Sequence, residues 1–170
     1  MAFSKKNTEL YREWVESLGP YDYFITLTFR WNIGIRVISE FTNKLLRQFN
    51  RMVFSKKYKN RERYLQGFAV IERHISGNSK CDNHVHILVK YDERYSDYGM
   101  WKLHNVFLNA ALRVRNPWGI DVFRTRCIQF KRIEPHEDKV SYSFKHVHDR
   151  NLGRVKPLTK HGFADSLDVC

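Results

Sequence analysis

The segment His84-Val85-His86-Ile87-Leu88-Val89-Lys90 constrains the fold more than any other stretch of this chain. Side chains alternate across a strand, so Val85, Ile87 and Val89 share one face and need an apolar cover. His84 and His86 share the opposite face. Residues 67–74 read as a preceding strand, and 75–83, with Gly, Asn, Ser and Asp, as a loop. The two strands therefore form an antiparallel hairpin with a long tip. An antiparallel sheet can carry helices on one face and leave the other for a ligand.

The remaining elements extend this plan. Residues 8–18 predict a helix, with Leu10, Trp14 and Leu18 every four residues and Gly19-Pro20 as its stop. Residues 23–29, β-branched and aromatic, predict a strand. Ser39 is a candidate cap for a helix to about Phe54, with Phe41, Leu45, Leu46, Phe49 and Val53 inward. Residues 100–115 predict another helix, 121–133 a strand, and 135–148 a last helix with Pro135 at its first position. After the leading helix the order is β-α-β-β-α-β-α. The expected class is α+β, on a ferredoxin-like or RRM-like plan: a central antiparallel sheet with helices mainly on one face.

The chain has 170 residues and a formal charge of +12, from 30 Lys+Arg and 18 Asp+Glu. One domain is expected, over residues 1–148, followed by a basic tail, 149–170, with no assigned structure. The charge predicts a polyanion partner. Nucleic acid is the commonest, an anionic membrane surface the second, and charge kept for solubility the bland alternative. No apolar run is long enough to span a membrane, and no signal-peptide pattern follows Met1, so a cytoplasmic protein without a membrane partner is expected. Cys81, Cys127 and Cys170 form no CxxC pair, which argues against a disulfide framework or a cysteine zinc site. The basic connector of Lys56, Lys57, Lys59, Arg61 and Arg63 is a solvated loop or a phosphate contact.

Two groups of residues carry chemistry. His84 and His86 can converge on one cation. Glu72, in the neighbouring strand, shares their face if it pairs roughly opposite His86, and His74 is an alternative ligand of the same parity. Two imidazoles and a carboxylate suit Mn²⁺, or Mg²⁺ when substrate phosphate joins, and ligand type leaves Zn²⁺ open. The bland alternative is a surface His pair beside a surface Glu. His146-Val147-His148 repeats the HxH spacing, but i and i+2 diverge on a helix. The second group is on the last helix, where Asp138, Tyr142, Lys145 and His146 share one side and Val140, Phe144 and Val147 form the apolar stripe. A free phenol, with a pKa near 10, is a weak nucleophile at neutral pH, and a nearby ammonium favours the phenolate.

Taken in order, Phe24-Ile25-Thr26-Leu27-Thr28, His84-Val85-His86 with Ile87-Leu88-Val89, and Tyr142-Ser143-Phe144-Lys145 resemble the three motifs of HUH-type rolling-circle replication initiators, the Rep proteins. The resemblance implies a sequence-specific single-strand DNA endonuclease and strand transferase. It implies His84 and His86 as metal ligands with Glu72 as the third, a Mn²⁺ or Mg²⁺ cofactor, Tyr142 as nucleophile and Lys145 as the lysine of the YxxK motif. The tyrosine would keep the 5′ phosphate and leave a 3′-OH for priming. One tyrosine, where some relatives have two, fits Reps of plasmids, phages and small viruses, and also Y1 transposases or relaxase-like nucleases. No GxxxxGK[ST] pattern is present, so strand separation would fall to supercoiling or a host helicase, and synthesis to a polymerase. The DNA partner would be single-stranded or an origin hairpin, with Thr26 and Thr28 facing it and Arg124 and Arg126 contacting phosphate or bases.

Two readings compete. A non-enzymatic RRM-like module would bind single strands on exposed aromatics, for which Phe68 and Phe130 are candidates. A metal-dependent hydrolase would use water as nucleophile and leave Tyr142 incidental.

Overall fold

The computed structural model describes residues 5–60, 63–73, 83–145, 147 and 154–164. Its elements in chain order are α1 (Lys5–Ser17), β1 (Tyr23–Thr28), α2 (Ile35–Phe54), β2 (Gly67–Arg73), β3 (Asn83–Val89), α3 (Gly99–Leu112), β4 (Gln129–Arg132), α4 (Lys139–Phe144), β5 (Val155–Thr159) and β6 (Gly162–Phe163). The six strands form one antiparallel sheet in the order β4-β1-β3-β2-β5-β6. The first four strands and α2 and α3 make the β-α-β-β-α-β unit of an α+β, ferredoxin-like architecture.

Alternation sorts the sheet into two faces. Ile25, Leu27, Ala69, Ile71, Val85, Ile87 and Val89 are buried with Leu45 and Phe49 of α2 and Phe107 and Ala110 of α3 in the main core. Fully burying one such aliphatic or aromatic side chain is worth about 1.5–3 kcal/mol. On the opposite face, Phe24, Phe68, Val70, Leu88 and Val155 pack with Val15 of α1 and Phe144 of α4. The expected free face is therefore covered over half its extent. The other half carries the polar residues of the same strands, of which Thr28, Glu72 and His86 are buried.

Several boundaries differ from the sequence expectation. Helix α2 starts at Ile35 after Gly34 in extended conformation, so Ser39 lies inside it and is not its cap. The extra turn places Ile38, fully buried, in the core. The expected strand 121–133 is broken by a 3₁₀ turn at Thr125–Cys127, leaving β4 and a Phe29–Phe123 bridge. The cause is parity: Phe123, Ile128 and Phe130 all enter the core, and an unbroken strand would send Phe123 to the opposite face from the other two. The last helix is shorter than 135–148. Its N-cap is Asp138, which accepts from Ser141 N–H at 2.9 Å, and Pro135 lies upstream in a turn closed by Glu137 N–H to Glu134 C=O.

Part of the 149–170 tail belongs to the sheet, because β5 pairs along β2 with Pro157 opposite Phe68. A proline inside a strand obscures such a segment in sequence. Gly162, at φ 117°, closes the following turn, and Asn43 Oδ1 of α2 accepts from Phe163 N–H there at 2.7 Å. A Cβ at Gly162 would meet that oxygen at 2.4 Å, so the close approach requires glycine. Among the described residues, no helix is long and apolar enough to cross a membrane.

Candidate active site

The polar half of the second face is assembled by strand register. Thr28 lies opposite His84 and Thr26 opposite His86 across β1 and β3. Glu72 of β2 lies opposite His84, one pair away from its expected place beside His86. Its side chain nevertheless reaches diagonally to His86, with Oε2 2.7 Å from Nε2. Glu72 and His86 are 3% and 4% exposed, so this contact is shielded from water. Burying a carboxylate without such a partner would be costly.

Both imidazoles are gripped from β1. Thr28 Oγ1 stands 3.1 Å from His84 Nδ1, and Thr26 Oγ1 stands 3.3 Å from His86 Nδ1. A hydroxyl donates or accepts, so each threonine serves either imidazole tautomer. For His84, a proton on Nδ1 donated to Thr28 leaves Nε2 with a lone pair. The two rings lie nearly parallel, 6.4 Å apart at 10°, and Phe24 stacks on His86 at 5.2 Å. Thr26 and Thr28 thus touch the histidine rings from the same face on which the sequence expects them to meet DNA.

Helix α4 brings the tyrosine over this row. The Tyr142 ring stands edge-on to His86 at 5.6 Å and to Phe24 at 6.0 Å, while 45% of the residue stays exposed. Lys145 Nζ lies 4.2 Å from the Tyr142 ring centroid and 3.8 Å from Glu72 Oε1. It therefore links the tyrosine to the carboxylate. Lys139 adds a second ammonium 5.7 Å from the Tyr142 ring. Lys139 belongs to none of the sequence motifs, although its i, i+3 spacing to Tyr142 is a usable helix-face signal. Asp138, expected beside Tyr142 as a polar neighbour, caps α4, and hydrogen bonds from Ser141 hold its carboxyl below the ordinary aspartate range.

Among the described residues, no three His, Cys, Asp or Glu side chains stand as a ready-made metal cage. The donor set still suits a divalent cation: two imidazoles held at Nδ1 and a carboxylate on the same face. Glu72 and His86 meet directly, so an ion would take the place of the proton between them.

The other candidates fall elsewhere. Arg124 and Arg126 do not alternate along a strand, because the 3₁₀ turn separates them, yet both line a cleft with Arg30, Trp31, Thr125 and Cys127. Phe68 is buried against Trp14 at 5.2 Å, and Phe130 lies in the main core between Phe49 and Phe107. Neither ring is a stacking platform. In the basic connector, Lys56, Lys57 and Lys59 are exposed, whereas Arg63 is paired with Asp92 at 3.0 Å and Glu93 at 2.8 Å. Of the three cysteines, Cys127 is a free, exposed thiol. Arg61, the tip loop with His74, Cys81, His146, His148 and Cys170 lie outside the described residues. Comparisons with protein-family models, curated proteins and solved structures found no match to this chain.

Proposed function

We propose that this chain is a metal-dependent, sequence-specific single-strand DNA endonuclease and strand transferase of the HUH replication-initiator kind, starting rolling-circle replication of a plasmid, phage or small virus. The observation that carries the reading is the meeting of three segments remote in sequence. Tyr142 stands against His86, and Lys145 stands between the Tyr142 ring and Glu72. A stability role alone gives no reason to bring an exposed phenol, two ammonium groups, two imidazoles and a carboxylate together on one half of a sheet face.

In the proposed reaction, Tyr142 Oη attacks the scissile phosphorus and loses its proton. The phosphorus–O3′ bond breaks and the departing 3′ oxygen takes up a proton. The 5′ phosphate is then esterified to Tyr142, and attack by another 3′-OH reverses the step and rejoins a strand. Lys145 and Lys139 place positive charge where the phosphate gathers negative charge. Thr26 and Thr28 hold the imidazoles, and Glu72 completes the ligand set. A divalent ion, Mn²⁺ or Mg²⁺, held by Glu72, His84 and His86 would supply Lewis-acid charge at the phosphate oxygens. A host helicase and polymerase would open and copy the template. The burial of Phe68 and Phe130 removes the aromatics on which the RRM-like binding reading relied.

The test is a denaturing gel of the protein mixed with a randomised pool of labelled single-stranded oligonucleotides and Mn²⁺. A covalent protein–DNA band is expected, lost with Tyr142→Phe and with EDTA. Cleavage that survives Tyr142→Phe would transfer the reading to water-mediated hydrolysis. Binding without an adduct across the pool would make the chain a binding module.

A further inference from the structure

We infer that the cleft at the far end of β1 is a second part of the DNA site, where Arg30, Arg124 and Arg126 hold backbone phosphates and Trp31 stacks a base of the nucleotides flanking the scissile phosphate. The inference rests on the single-strand reading above and assigns Arg30 and Trp31, which no motif singles out.

The cleft has a volume of about 630 Å³ and is lined by Arg30, Trp31, Arg124, Thr125, Arg126 and Cys127, three arginines and no carboxylate among the described residues. It adjoins the histidines through backbone. Arg124 N–H donates to Thr28 C=O at 2.8 Å, and the hydroxyl of the same Thr28 stands at His84 Nδ1. The Phe29–Phe123 bridge continues the β1 ladder, and both phenylalanines enter the main core. By alternation along β1, Thr28 and Arg30 therefore lie on the opposite face, the one that carries His84 and His86, and Arg124 joins them as part of the cleft lining.

The wall that bears Trp31 is fixed. Arg30 N–H donates to Val122 C=O at 3.0 Å, and Arg30 pairs with Asp121 at 3.6 Å. Asn83, buried at the start of β3 next to His84, donates to Asn32 Oδ1 at 3.0 Å and to Ile33 C=O at 2.7 Å. Trp31 nevertheless remains 38% exposed. A rigidly backed, part-exposed indole among guanidinium groups is the combination that binds single strands: charge for the backbone and a flat apolar face for a base. A free phosphate would use the arginines and leave the indole without purpose.

The test uses the whole chain with Tyr142→Phe, so that binding is read without covalent capture, and a fluorescein-labelled oligothymidine titrated at several salt concentrations. Arg124→Gln with Arg126→Gln should weaken binding and reduce the slope of log affinity against log salt by about 1.4, two phosphates at roughly 0.7 each. Trp31→Ala should weaken binding about tenfold with the slope unchanged. On an abasic strand of the same length that loss should vanish, and Trp31→Phe should recover most of it. An unchanged salt slope in the arginine variant, or an equal loss on abasic and natural strands for Trp31→Ala, overturns the inference. These outcomes are independent of the adduct assay: a cleft that binds without any adduct sinks the nuclease reading alone, and an adduct without these losses sinks the cleft alone.

Discussion

The two faces of the sheet follow different rules although the same strands make both. Under α2 and α3, the inward positions of β1, β2 and β3 are apolar from end to end: Ile25 and Leu27, Ala69 and Ile71, Val85, Ile87 and Val89. On the other face the apolar set stops halfway, at Phe24, Val70 and Leu88. The next residues on those strands are Thr26, Glu72 and His86, followed by Thr28 and His84. Glu72 and His86 are as buried as the residues around them. Apolar side chains of similar size would serve stability there equally well or better. Burial accounts for the core face; it does not account for the polar half of the second face.

The largest effect expected from this contrast is on stability. Phe49 packs against Phe107 at 5.2 Å and Phe130 at 6.1 Å. Phe49→Ala should lower the unfolding free energy by about 3–5 kcal/mol in a denaturant titration. Adduct formed per folded molecule should stay at the wild-type level. A loss of adduct beyond the loss of folded protein would mean that the two faces are not separable.

The converse substitution is Thr28→Val, which keeps the β-branched shape and removes the hydroxyl at His84 Nδ1. If His84 is a ligand as proposed, losing the group that orients it should weaken Mn²⁺ binding to the free protein about 10- to 100-fold by calorimetry. Stability should change by only about 0.5–1.5 kcal/mol, the worth of one hydrogen bond. Thr28→Ser should restore the affinity. Unchanged Mn²⁺ affinity in Thr28→Val would remove the threonine from the site and return it to the packing of the sheet.

The fold is most legible in the sequence where alternation is strict. The β3 pattern is enough to place His84 with His86 and Val85 with Ile87, and helix spacing is enough to put Tyr142 and Lys145 on one side of a turn. Register was less legible, because hydrophobic pattern fixes which face Glu72 takes but not which histidine it opposes. The contacts of the threonines with the histidines were hidden for a related reason: their partners lie on another strand, 60 and 56 residues away. The break in 121–133 was hidden because Phe123, Ile128 and Phe130 look like one strand until their shared destination in the core is known. Arg30 and Trp31 follow β1 without any pattern, and only the loop's anchoring by Asn83 gives them a place. Strand β5 was masked by Pro157.

The smallest effect concerns the element that carries the tyrosine across to the histidines. Helix α4 has six residues, too few to be stable alone, so its cap matters. Asp138→Ala should lower stability by about 1 kcal/mol at neutral pH. The carboxyl is held below its ordinary value by hydrogen bonds from Ser141, so its contribution has a definite pH sense. It is fully present above the unfolded value near 3.9 and is lost as pH falls through the lower native value. The difference in melting temperature between wild type and Asp138→Ala should therefore shrink on acidification. Asp138→Asn, which caps without titrating, should keep its advantage over the alanine variant throughout. A wild-type advantage that grew on acidification would show that Asp138 acts through something other than its ionised cap at the start of α4.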